Sequence, residues 1–564
     1  MAKKTGARYL AETLQQSGVT HVFFVPAILL NALAEMETLG IRRIMVHGEK
    51  AAAYMADGYA RASNRPGVCF GQHIGGSNLA AGLRDAFMAR SPVIAFSGGP
   101  APASRYRNAY QEIEDFSQYD ATTKMNVRVE DPTRLPDLLQ RAFREATTGA
   151  PGPVHLELRQ HHGDVTLTEG EYNAVIEEKY QSVPPYRVPS DSAAVAAALR
   201  LLAAAERPVI VAGGGVMWSG AQAEVVELAE KLQIPLATSL NAKGTIADSH
   251  PLSLGVIGLN SRACANKAVA EADLVFFIGS QTGGQVTTNW KVPKFGTPVI
   301  HLDIDAREIG RNYDAKVGLL GDARTVLRQM LDATAIVPAV KRDAWLARGQ
   351  ALVAEWKQSF AALYASDAVP MRPERLCKEI SKALPENGIV VSDTGHSGIW
   401  TGALIEFEKK GQRLIRCAGS LGWGLPGAIG VKCAQPDKTV VCFAGDGGVY
   451  YHMAELETAA RYGINIVLVV NNNSALNQEI PLVNGAYKGL PNEKNRDIWG
   501  FLDVNFAKVA ENMGCVGIRV EKPADLPAAF AKAFAANRPV VIDVVTDEQA
   551  MAPVAWTGGA GAGH

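Results

Sequence analysis

Short apolar runs alternate with longer amphipathic segments along the whole chain, and this alternation restricts the fold more than any other feature. Runs such as VIVAG, LVFFIG and VVCFAG end in glycine, as strands buried on both faces of a parallel sheet often do. Parallel neighbours need a crossover connection, which is usually a helix. The pattern therefore predicts stacked α/β units built on parallel sheets.

The chain length requires several such units. A chain of 564 residues exceeds what one hydrophobic core supports. We expect three doubly wound parallel-sheet domains at 1–165, 185–335 and 365–550, and a flexible glycine-rich tail at 551–564. The polar, proline-containing passage YQSVPPYRVPSDS is typical of a linker after the first domain. In the third domain, GIVVSD, TVVCFAG, INIVLVV and RPVVIDVV predict four strands.

Charge and cysteine usage exclude several partner classes. The 56 Lys and Arg residues balance the 57 Asp and Glu residues, which gives no reason to expect nucleic acid or a membrane as partner. The start lacks the apolar core of a secretory signal, and no segment approaches a transmembrane length. Seven scattered cysteines without a C-x-x-C pair indicate reduced thiols. We expect a cytoplasmic protein that acts on a small molecule.

An acidic residue lies among glycines where one apolar run ends, in VCFAGDGGVYYH. Asp446 follows Gly445 and precedes Gly447 and Gly448. Ligands of open α/β sheets bind beyond the carboxyl ends of the strands, and glycines let a phosphate approach the backbone. A carboxylate would repel that phosphate unless a cation lay between them. We therefore predict that Asp446 is a ligand of Mg²⁺ bound to a diphosphate; the alternative is an ordinary Asp-Gly turn.

The next apolar run supplies a second oxygen donor. Asn473 follows Asp446 by 27 residues, which leaves room for one helix and one strand. Both side chains should therefore emerge at the same edge of neighbouring parallel strands. The carboxylate, the Asn473 amide oxygen and the Ala475 carbonyl would form half of an octahedral Mg²⁺ shell, and two diphosphate oxygens and a water would complete it.

Together these residues resemble the thiamine-diphosphate motif, here Gly445-Asp446-Gly447 followed by Asn472-Asn473. Nearly the whole chain resembles the acetolactate synthase, pyruvate oxidase and benzoylformate decarboxylase family. The resemblance implies a pyrimidine-binding, a central and a diphosphate-binding domain, in that order. It also implies thiamine diphosphate and Mg²⁺ as cofactors, and a homodimer or homotetramer with active sites between subunits.

The resemblance implies a catalytic role for Glu49, in IMVHGEKAAAYMADGYAR. Glu49 would share a proton with a ring nitrogen of the cofactor's pyrimidine. The neighbouring Val46, Ala52 and Ala53 lead us to expect a buried carboxyl group. A glutamate that only stabilises a helix N-terminus is the alternative.

Further cofactor contacts are implied by the same family. In the loop AGSLGWGLPGAIG, Leu421 would support the bent cofactor, and the Gly419 carbonyl and Leu421 N–H would bind the pyrimidine edge. A core leucine and a structural histidine are the alternatives for Leu421 and His396. The other implied cofactor-binding residues are Gly395, His396, Ser397, Gly445, Gly447, Gly448, Asn473 and Leu476.

On the substrate side, His73 lies in GQHIGGSNLAAGL, where the family has a glycine-rich loop. It would relay a proton or bind a substrate carboxylate, or else be satisfied within its loop. Gln111 matches a family residue that faces the cofactor's thiazolium. Lys124, Tyr451 and His452 are predicted to line the substrate pocket, although packing roles are equally open for the last two.

The family reaction is cleavage or formation of a C–C bond next to a carbonyl, and a 2-oxo acid is the expected substrate. The segment after Asn473, SALNQEIPLVNGAYKG, lacks the family's substrate-selecting Arg or Trp, and FVPAILLNAL replaces its Pro-Gly-Gly. Both departures disfavour biosynthetic acetolactate formation. Acyl-CoA or diketone cleavage is an alternative. A non-catalytic cofactor-binding regulatory subunit is another, which Glu49 disfavours.

The sequence of the central domain bears on whether the chain binds NAD or FAD. VIVAGGGVMWSG lacks the G-x-G-x-x-G spacing of NAD-binding proteins, which disfavours a dehydrogenase. Some family members bind FAD here. Gln281 stands where flavin binders commonly have arginine, so FAD is possible but less expected than its absence.

Overall fold

The structure is a computed structural model, and it confirms the predicted fold class of three parallel-sheet α/β units. Each unit contains a six-stranded sheet in which all strands run parallel. The structure describes residues 3–112, 114, 116–160, 162–172, 176–489 and 493–558. Within those ranges, no helix combines the length and the apolar character needed to cross a bilayer.

The first domain has helices on both faces of its sheet. Its strands are β1 (Lys4–Thr5), β2 (His21–Phe24), β3 (Arg42–Met45), β4 (Gly67–Gly71), β5 (Val93–Gly99), β6 (Met125–Val129), β7 (Val154–Arg159) and β8 (Glu169–Gly170). Its helices are α1 (Gly6–Gln16), α2 (Leu30–Thr38), α3 (Glu49–Ser63), α4 (Gly76–Met88) and α5 (Leu135–Thr147). The sheet order is β3-β2-β4-β5-β7-β6, and β1 pairs with β8 separately.

The central domain has the strand order of a dinucleotide-binding fold, although it lacks the glycine fingerprint. Its strands are β9 (Pro208–Ala212), β10 (Leu236–Thr238), β11 (Ser253–Val256), β12 (Leu274–Ile278), β13 (Val299–Asp303) and β14 (Ala315–Leu320). Its helices are α6 (Ser192–Ala204), α7 (Gly214–Ser219), α8 (Gln222–Leu232), α9 (Ala263–Glu271) and α10 (Ala323–Asp332), and α11 (Asp343–Tyr364) is the connector. The order β11-β10-β9-β12-β13-β14 reverses between β9 and β12.

The third domain has the strand order of the first domain, not that of the central domain. Its strands are β15 (Ile389–Ser392), β16 (Arg413–Arg416), β17 (Val440–Gly445), β18 (Val467–Asn472), β19 (Val516–Val520) and β20 (Val540–Val545). Its helices are α12 (Pro373–Ala383), α13 (His396–Ala403), α14 (Gly424–Ala434), α15 (Asp446–Tyr450), α16 (Glu455–Tyr462), α17 (Ile480–Ala486), α18 (Phe506–Asn512) and α19 (Leu526–Ala535). The order is β16-β15-β17-β18-β20-β19.

The first and third domains share a hydrophobic core. Side chains of α3 and α4 lie in one cluster with those of α14, α16 and the third sheet. Helices α3 and α14 approach so closely that a methyl group on Gly430 would overlap the Met55 carbonyl oxygen. Small residues permit this approach, which holds the two predicted cofactor-binding domains against each other.

Two features of the sequence prediction change. Strands β16 and β19 add to the four predicted strands of the third domain, because RLIR and VGIRV carry arginines that interrupt their apolar runs. The described part of the predicted flexible tail is packed rather than loose: Ala552 is buried and Trp556 packs on a core shared by the central and third domains. Residues 559–564 lie outside the described residues. The domain boundaries stay predictions.

Candidate active site

The third sheet changes its winding direction between β15 and β17. The chain proceeds outward from β15 to β16 on one side and from β17 to β18 on the other. The loops that follow β15 and β17 therefore diverge and leave a crevice, which is where open α/β sheets bind ligands. Residues 393–395 and the glycines after Asp446 flank this crevice.

Asp446 is buried in this crevice as the first residue of α15, with 2% of its surface exposed. Its carboxylate accepts hydrogen bonds from Gly447 N at 2.8 Å and Ala475 N at 3.2 Å. Burial nevertheless raises the pKa of Asp446 to about 7, because its remaining oxygen lone pairs have lost water. A nearby cation would stabilise the charged form. A side chain on Gly447 would overlap Leu476, which shows how closely the two loops approach.

The end of β18 brings Asn473 to the same edge. Gly445 and Asn471 are paired across β17 and β18, so the residues that follow them are neighbours. The Asn473 side-chain Oδ1 is buried and makes no hydrogen bond within the described part of the chain. Such an orphaned oxygen costs free energy unless a ligand supplies its partner. A carboxylate beside it fits a hard cation such as Mg²⁺.

The backbone between these donors is strained. Ser474 has a φ of 54°, a left-handed conformation that costs a residue with a side chain about 1–2 kcal/mol. The turn places Ala475 N on the Asp446 carboxylate, and the Ala475 carbonyl accepts no hydrogen bond from the described residues. Among all residues that the structure describes, no three His, Cys, Asp or Glu side chains come together as a metal site.

Helix α13 begins on the other side of the crevice. Its first residue, His396, has Nδ1 at 2.8 Å from Asn477 Oδ1, and burial lowers the pKa of His396. Because the amide oxygen can only accept, the imidazole Nδ1–H donates to it. Ser397 is buried, and a methyl group on Gly445 would lie 3.6 Å from its hydroxyl. Gly395, with a φ of 71°, allows the turn into this helix.

The glycine-rich loop before α14 lies between the first and third domains. Leu421 is half-buried and Gly419 is exposed, so Leu421 is not a core residue. The loop is bonded to Asp85 of α4 and to Asp393, which follows β15. Sequence analysis missed both aspartates. Their signal was weak: an acidic residue in the apolar pattern GLRDAF, and another at a strand end.

Glu49 starts α3 at the carboxyl edge of the first sheet. Its Oε2 accepts from Asn78 Nδ2 at 3.2 Å. Glycines at 71 and 75 make room for it, since a side chain on Gly75 would overlap its carboxylate. The carboxyl group is half-buried in the single chain rather than buried as expected, because it lies at the helix start while Ala52 and Ala53 turn into the core.

His73 and Gln111 lie at the same edge as Glu49. His73 is buried in a short 3-10 turn that ends at Gly75, the neighbour of Glu49. The Gln111 Oε1 accepts from Gln72 Nε2 at 3.0 Å, and Gln111 has a φ of 64°. The structure thus brings the three predicted catalytic residues to one edge of the first sheet.

Tyr451 and His452 follow α15, which begins at Asp446, and contact α3. Tyr451 is 56% exposed, and the Lys50 ammonium lies 6.0 Å from the centre of its ring. The His452 ring packs edge-on against Tyr54 at 5.5 Å. Burial and the Lys50 charge lower the pKa of His452 to about 4. The structure therefore favours packing for His452 and leaves Tyr451 open to a ligand.

Lys124 does not join this group. It precedes β6, whereas Glu49 and His73 follow β3 and β4, so it lies at the opposite edge of a parallel sheet. Its ammonium donates to the carbonyls of Thr148 and Ala150 at 2.8 and 2.9 Å. Burial lowers the pKa of Lys124 to about 8. The predicted pocket role of Lys124 is not supported by this position.

Three family models match most of the chain. The models describe the thiamine pyrophosphate enzyme N-terminal TPP binding domain at residues 4–119, the central domain at 195–330 and the C-terminal TPP binding domain at 393–544. Their order is the one that the sequence resemblance implied.

Individual proteins are similar over nearly the full length. The probable acetolactate synthase large subunit of Methanocaldococcus jannaschii is 32% identical, across 98% of this chain and 94% of the relative. The acetolactate synthase large subunit of Corynebacterium glutamicum is 31% identical, across 97% and 88%. The glyoxylate carboligase of Escherichia coli O157:H7 is 30% identical, across 97% and 94%. The names of these relatives cover more than one reaction.

Proposed function

The chain belongs to the thiamine pyrophosphate enzyme family, and from this membership we propose a Mg²⁺-dependent lyase or carboligase that uses thiamine diphosphate. It would cleave or form a C–C bond next to a carbonyl. We favour decarboxylation of a 2-oxo acid, followed by protonation of the product or its ligation to a second carbonyl. One observation carries the proposal: the orphaned Asn473 Oδ1 lies at the same sheet edge as the buried Asp446 carboxylate.

The cofactor would be held by residues of the third domain. Asp446, Asn473 and the Ala475 carbonyl would bind Mg²⁺, since a buried carboxylate, an amide oxygen without a partner in the described residues and a backbone carbonyl fit that ion. The start of α13 and its backbone N–H groups would bind the diphosphate. When bound, thiamine diphosphate supplies a carbon nucleophile and an electron sink next to a carbonyl.

The first domain would move the protons. Glu49 would exchange a proton through its carboxylate with a ring nitrogen of the bound pyrimidine, and Asn78 orients that carboxylate. We propose that the imidazole of His73 donates a proton to the substrate or binds its carboxylate. The hydrogen bond from Gln72 holds the Gln111 amide in place next to the His73 turn.

The segment FVPAILLNAL of the first domain supports a reaction other than acetolactate synthesis. Ala27 keeps a φ of 77° in the loop that replaces the family's Pro-Gly-Gly, and Ile28 and Leu29 bury their side chains behind it. The backbone thus retains a glycine-like turn, while apolar side chains fill the space that two glycines would leave. Acyl-CoA or diketone cleavage is the second candidate reaction, and it rests on the same differences from the family sequence.

A flavin is the less favoured additional cofactor. A cavity of about 270 Å³ lies between the central domain and its neighbours. Gln281 lines it without a charge, and Arg90 on the same wall is paired with the buried Glu308 at 2.9 Å. Arg416 also lines the cavity, and its charge would suit an anionic ligand of another kind. We expect no flavin band in the visible absorbance of the purified protein.

We propose a homodimer or homotetramer with active sites between subunits. Glu49 is half-buried, and exposed apolar side chains lie next to the site, namely Ile74, Tyr451 and Leu502. Mixing two inactive variants, Glu49→Gln and Asp446→Ala, would test this. If each site takes one residue from each subunit, random dimers should recover about a quarter of the wild-type activity; no recovery would contradict shared sites.

The cysteines support a cytoplasmic location. All seven are unpaired and buried, as in proteins from a reducing compartment.

The reaction itself is tested with a substrate panel. The protein with Mg²⁺ and thiamine diphosphate is incubated with 2-oxo acids, acyl-CoA compounds and diketones, and the products are identified by mass spectrometry. We expect CO₂ release from a 2-oxo acid that stops with EDTA and with Glu49→Gln. Cleavage of only the other two classes would favour the second candidate. Cofactor binding without any turnover would indicate a non-catalytic regulatory subunit and contradict the proposal.

A further inference from the structure

One carboxylate of the first domain binds the glycine-rich loop of the third. The backbone N–H groups of Ala418, Gly419 and Ser420 donate to the Asp85 carboxylate at 2.7, 3.1 and 3.0 Å. Asp85 is buried on α4. Three successive amides on one carboxylate form a nest for that anion, so this part of the loop is held from another domain.

A second carboxylate holds the rest of the loop. Gly422 N and Gly424 N donate to the buried Asp393 at 3.1 and 2.9 Å. Trp423 N donates to the Ser420 carbonyl at 3.2 Å. The two aspartates together accept five of the loop's N–H groups, and they come from different domains.

Neither aspartate accepts a hydrogen bond from the Leu421 amide of this loop. Leu421 N–H, between the two groups of bonded amides, makes no hydrogen bond within the residues that the structure describes. The Gly419 carbonyl likewise accepts none there. These are the two backbone groups proposed to bind the pyrimidine edge. The bonded amides thus hold the loop in one conformation while the two ligand-binding groups stay available.

Asp85 is itself held by a buried ion cluster. Arg61 lies between two aspartates, 3.1 Å from Asp85 and 2.6 Å from Asp57. Asp57 also accepts from the Trp423 indole at 3.0 Å. The cluster carries one more negative than positive charge, and the loop amides supply the donors that balance it.

We propose that Asp85 is a positioning residue that presents Leu421 N–H and the Gly419 carbonyl to the cofactor. It acts through the loop and does not touch the reacting atoms. Because Asp85 belongs to α4, this carboxylate ties the loop to the first domain of its own subunit. The inference rests on the proposed function for the identity of the ligand.

Asp85→Asn is the informative change. It keeps the size of the side chain but replaces one oxygen with an NH₂ group. Arg61 favours the remaining oxygen on its own side, so the NH₂ would face Gly419 N and Ser420 N, and donors would meet donors. Both amides then lose their acceptor.

Hydrogen exchange of the wild-type protein provides the first test, and it needs no variant. Without cofactor, the amides of Gly419 and Ser420 should exchange slowly and that of Leu421 quickly. Mg²⁺ with thiamine diphosphate should then slow Leu421 alone. Rapid exchange of all three without cofactor would overturn the inference. If the wild type bound no thiamine diphosphate, the proposed function would be contradicted. The exchange rates measured without cofactor would still show whether Asp85 holds the loop.

Two matched variants provide the second test. Asp85→Asn should speed exchange in the loop at least about tenfold and weaken cofactor binding by about 10–100-fold, the range seen when a supporting contact is lost. Asp57→Asn disrupts the same ion cluster without touching the amides of Ala418 to Ser420. It should lower the melting temperature comparably and leave cofactor affinity near the wild type. Equal losses of affinity in both variants would show a merely structural role and refute the inference.

Discussion

Replacing Asn473 with alanine should separate the stability of the empty protein from its response to the cofactor. Without metal, Asn473 Oδ1 is a buried acceptor with no partner in the described residues. Leaving such a group unsatisfied costs about 1–3 kcal/mol. Alanine removes that cost and loses only a few side-chain contacts. We therefore expect the variant without cofactor to be as stable as the wild type, or slightly more stable.

When the cofactor is present, we expect the order of stability to reverse, so that the wild type is more stable than Asn473→Ala. At a ligand concentration of one hundred times its Kd, binding stabilises the wild type by about 2.7 kcal/mol. Loss of a metal ligand should weaken binding at least about 10–100-fold, which leaves the variant a gain of about 1.4 to 0.4 kcal/mol. The difference, about 1.3–2.3 kcal/mol, corresponds to roughly 3–9 °C in the melting temperature of a domain of this size.

Thermal unfolding of both proteins, with EDTA and with Mg²⁺ and thiamine diphosphate, measures these values. Asn471→Ala is the matched control, because Asn471 also has a buried Oδ1 with no partner among the described residues but belongs to β18 itself. It should respond to the cofactor as the wild type does. If Asn473→Ala kept the full cofactor-dependent shift, Asn473 would not be a metal ligand and the reasoning would fail.

Three further changes test other parts of the molecule. Glu49→Gln should bind thiamine diphosphate within a few-fold of the wild type but slow deuterium exchange at the thiazolium carbon by about 10²–10⁴-fold; unchanged exchange, measured by NMR, would rule out the proton role. Burial raises the pKa of Asp303 from 3.8 to about 6, so its ionisation destabilises the fold as pH rises through that range. Asp303→Asn should therefore gain up to about 3 kcal/mol of stability over the wild type at pH 8 and almost none at pH 4, and a pH-independent difference in urea unfolding would contradict this. Gly430→Ala should destabilise the contact between α3 and α14 by about 1–3 kcal/mol or more, whereas Gly485→Ala, whose methyl group meets open space, should not lower the melting temperature.

The metal-site prediction depended on local patterns. Asp446 and Asn473 each end an apolar run, and parallel strands bring such ends to one sheet edge. Their proximity therefore follows from the order of strands along the chain. Lys124 shows the limit of this reasoning. The sequence does not reveal that it precedes β6 and so lies at the opposite edge, because a short strand with polar residues has no clear start.

Contacts between distant segments could not be read in this way. Asp85 and Ala418 are separated by 333 positions, yet they are bonded, and only the packing of α3 and α4 against the third domain brings them together. The alternation of apolar runs and glycines determined the three α/β units and the sheet edge at which Asp446 and Asn473 meet. Tertiary structure alone decided which carboxylates hold the glycine-rich loop and which of its amides has no partner in the described part of the chain, because burial and hydrogen bonding between domains depend on side chains that no local pattern relates.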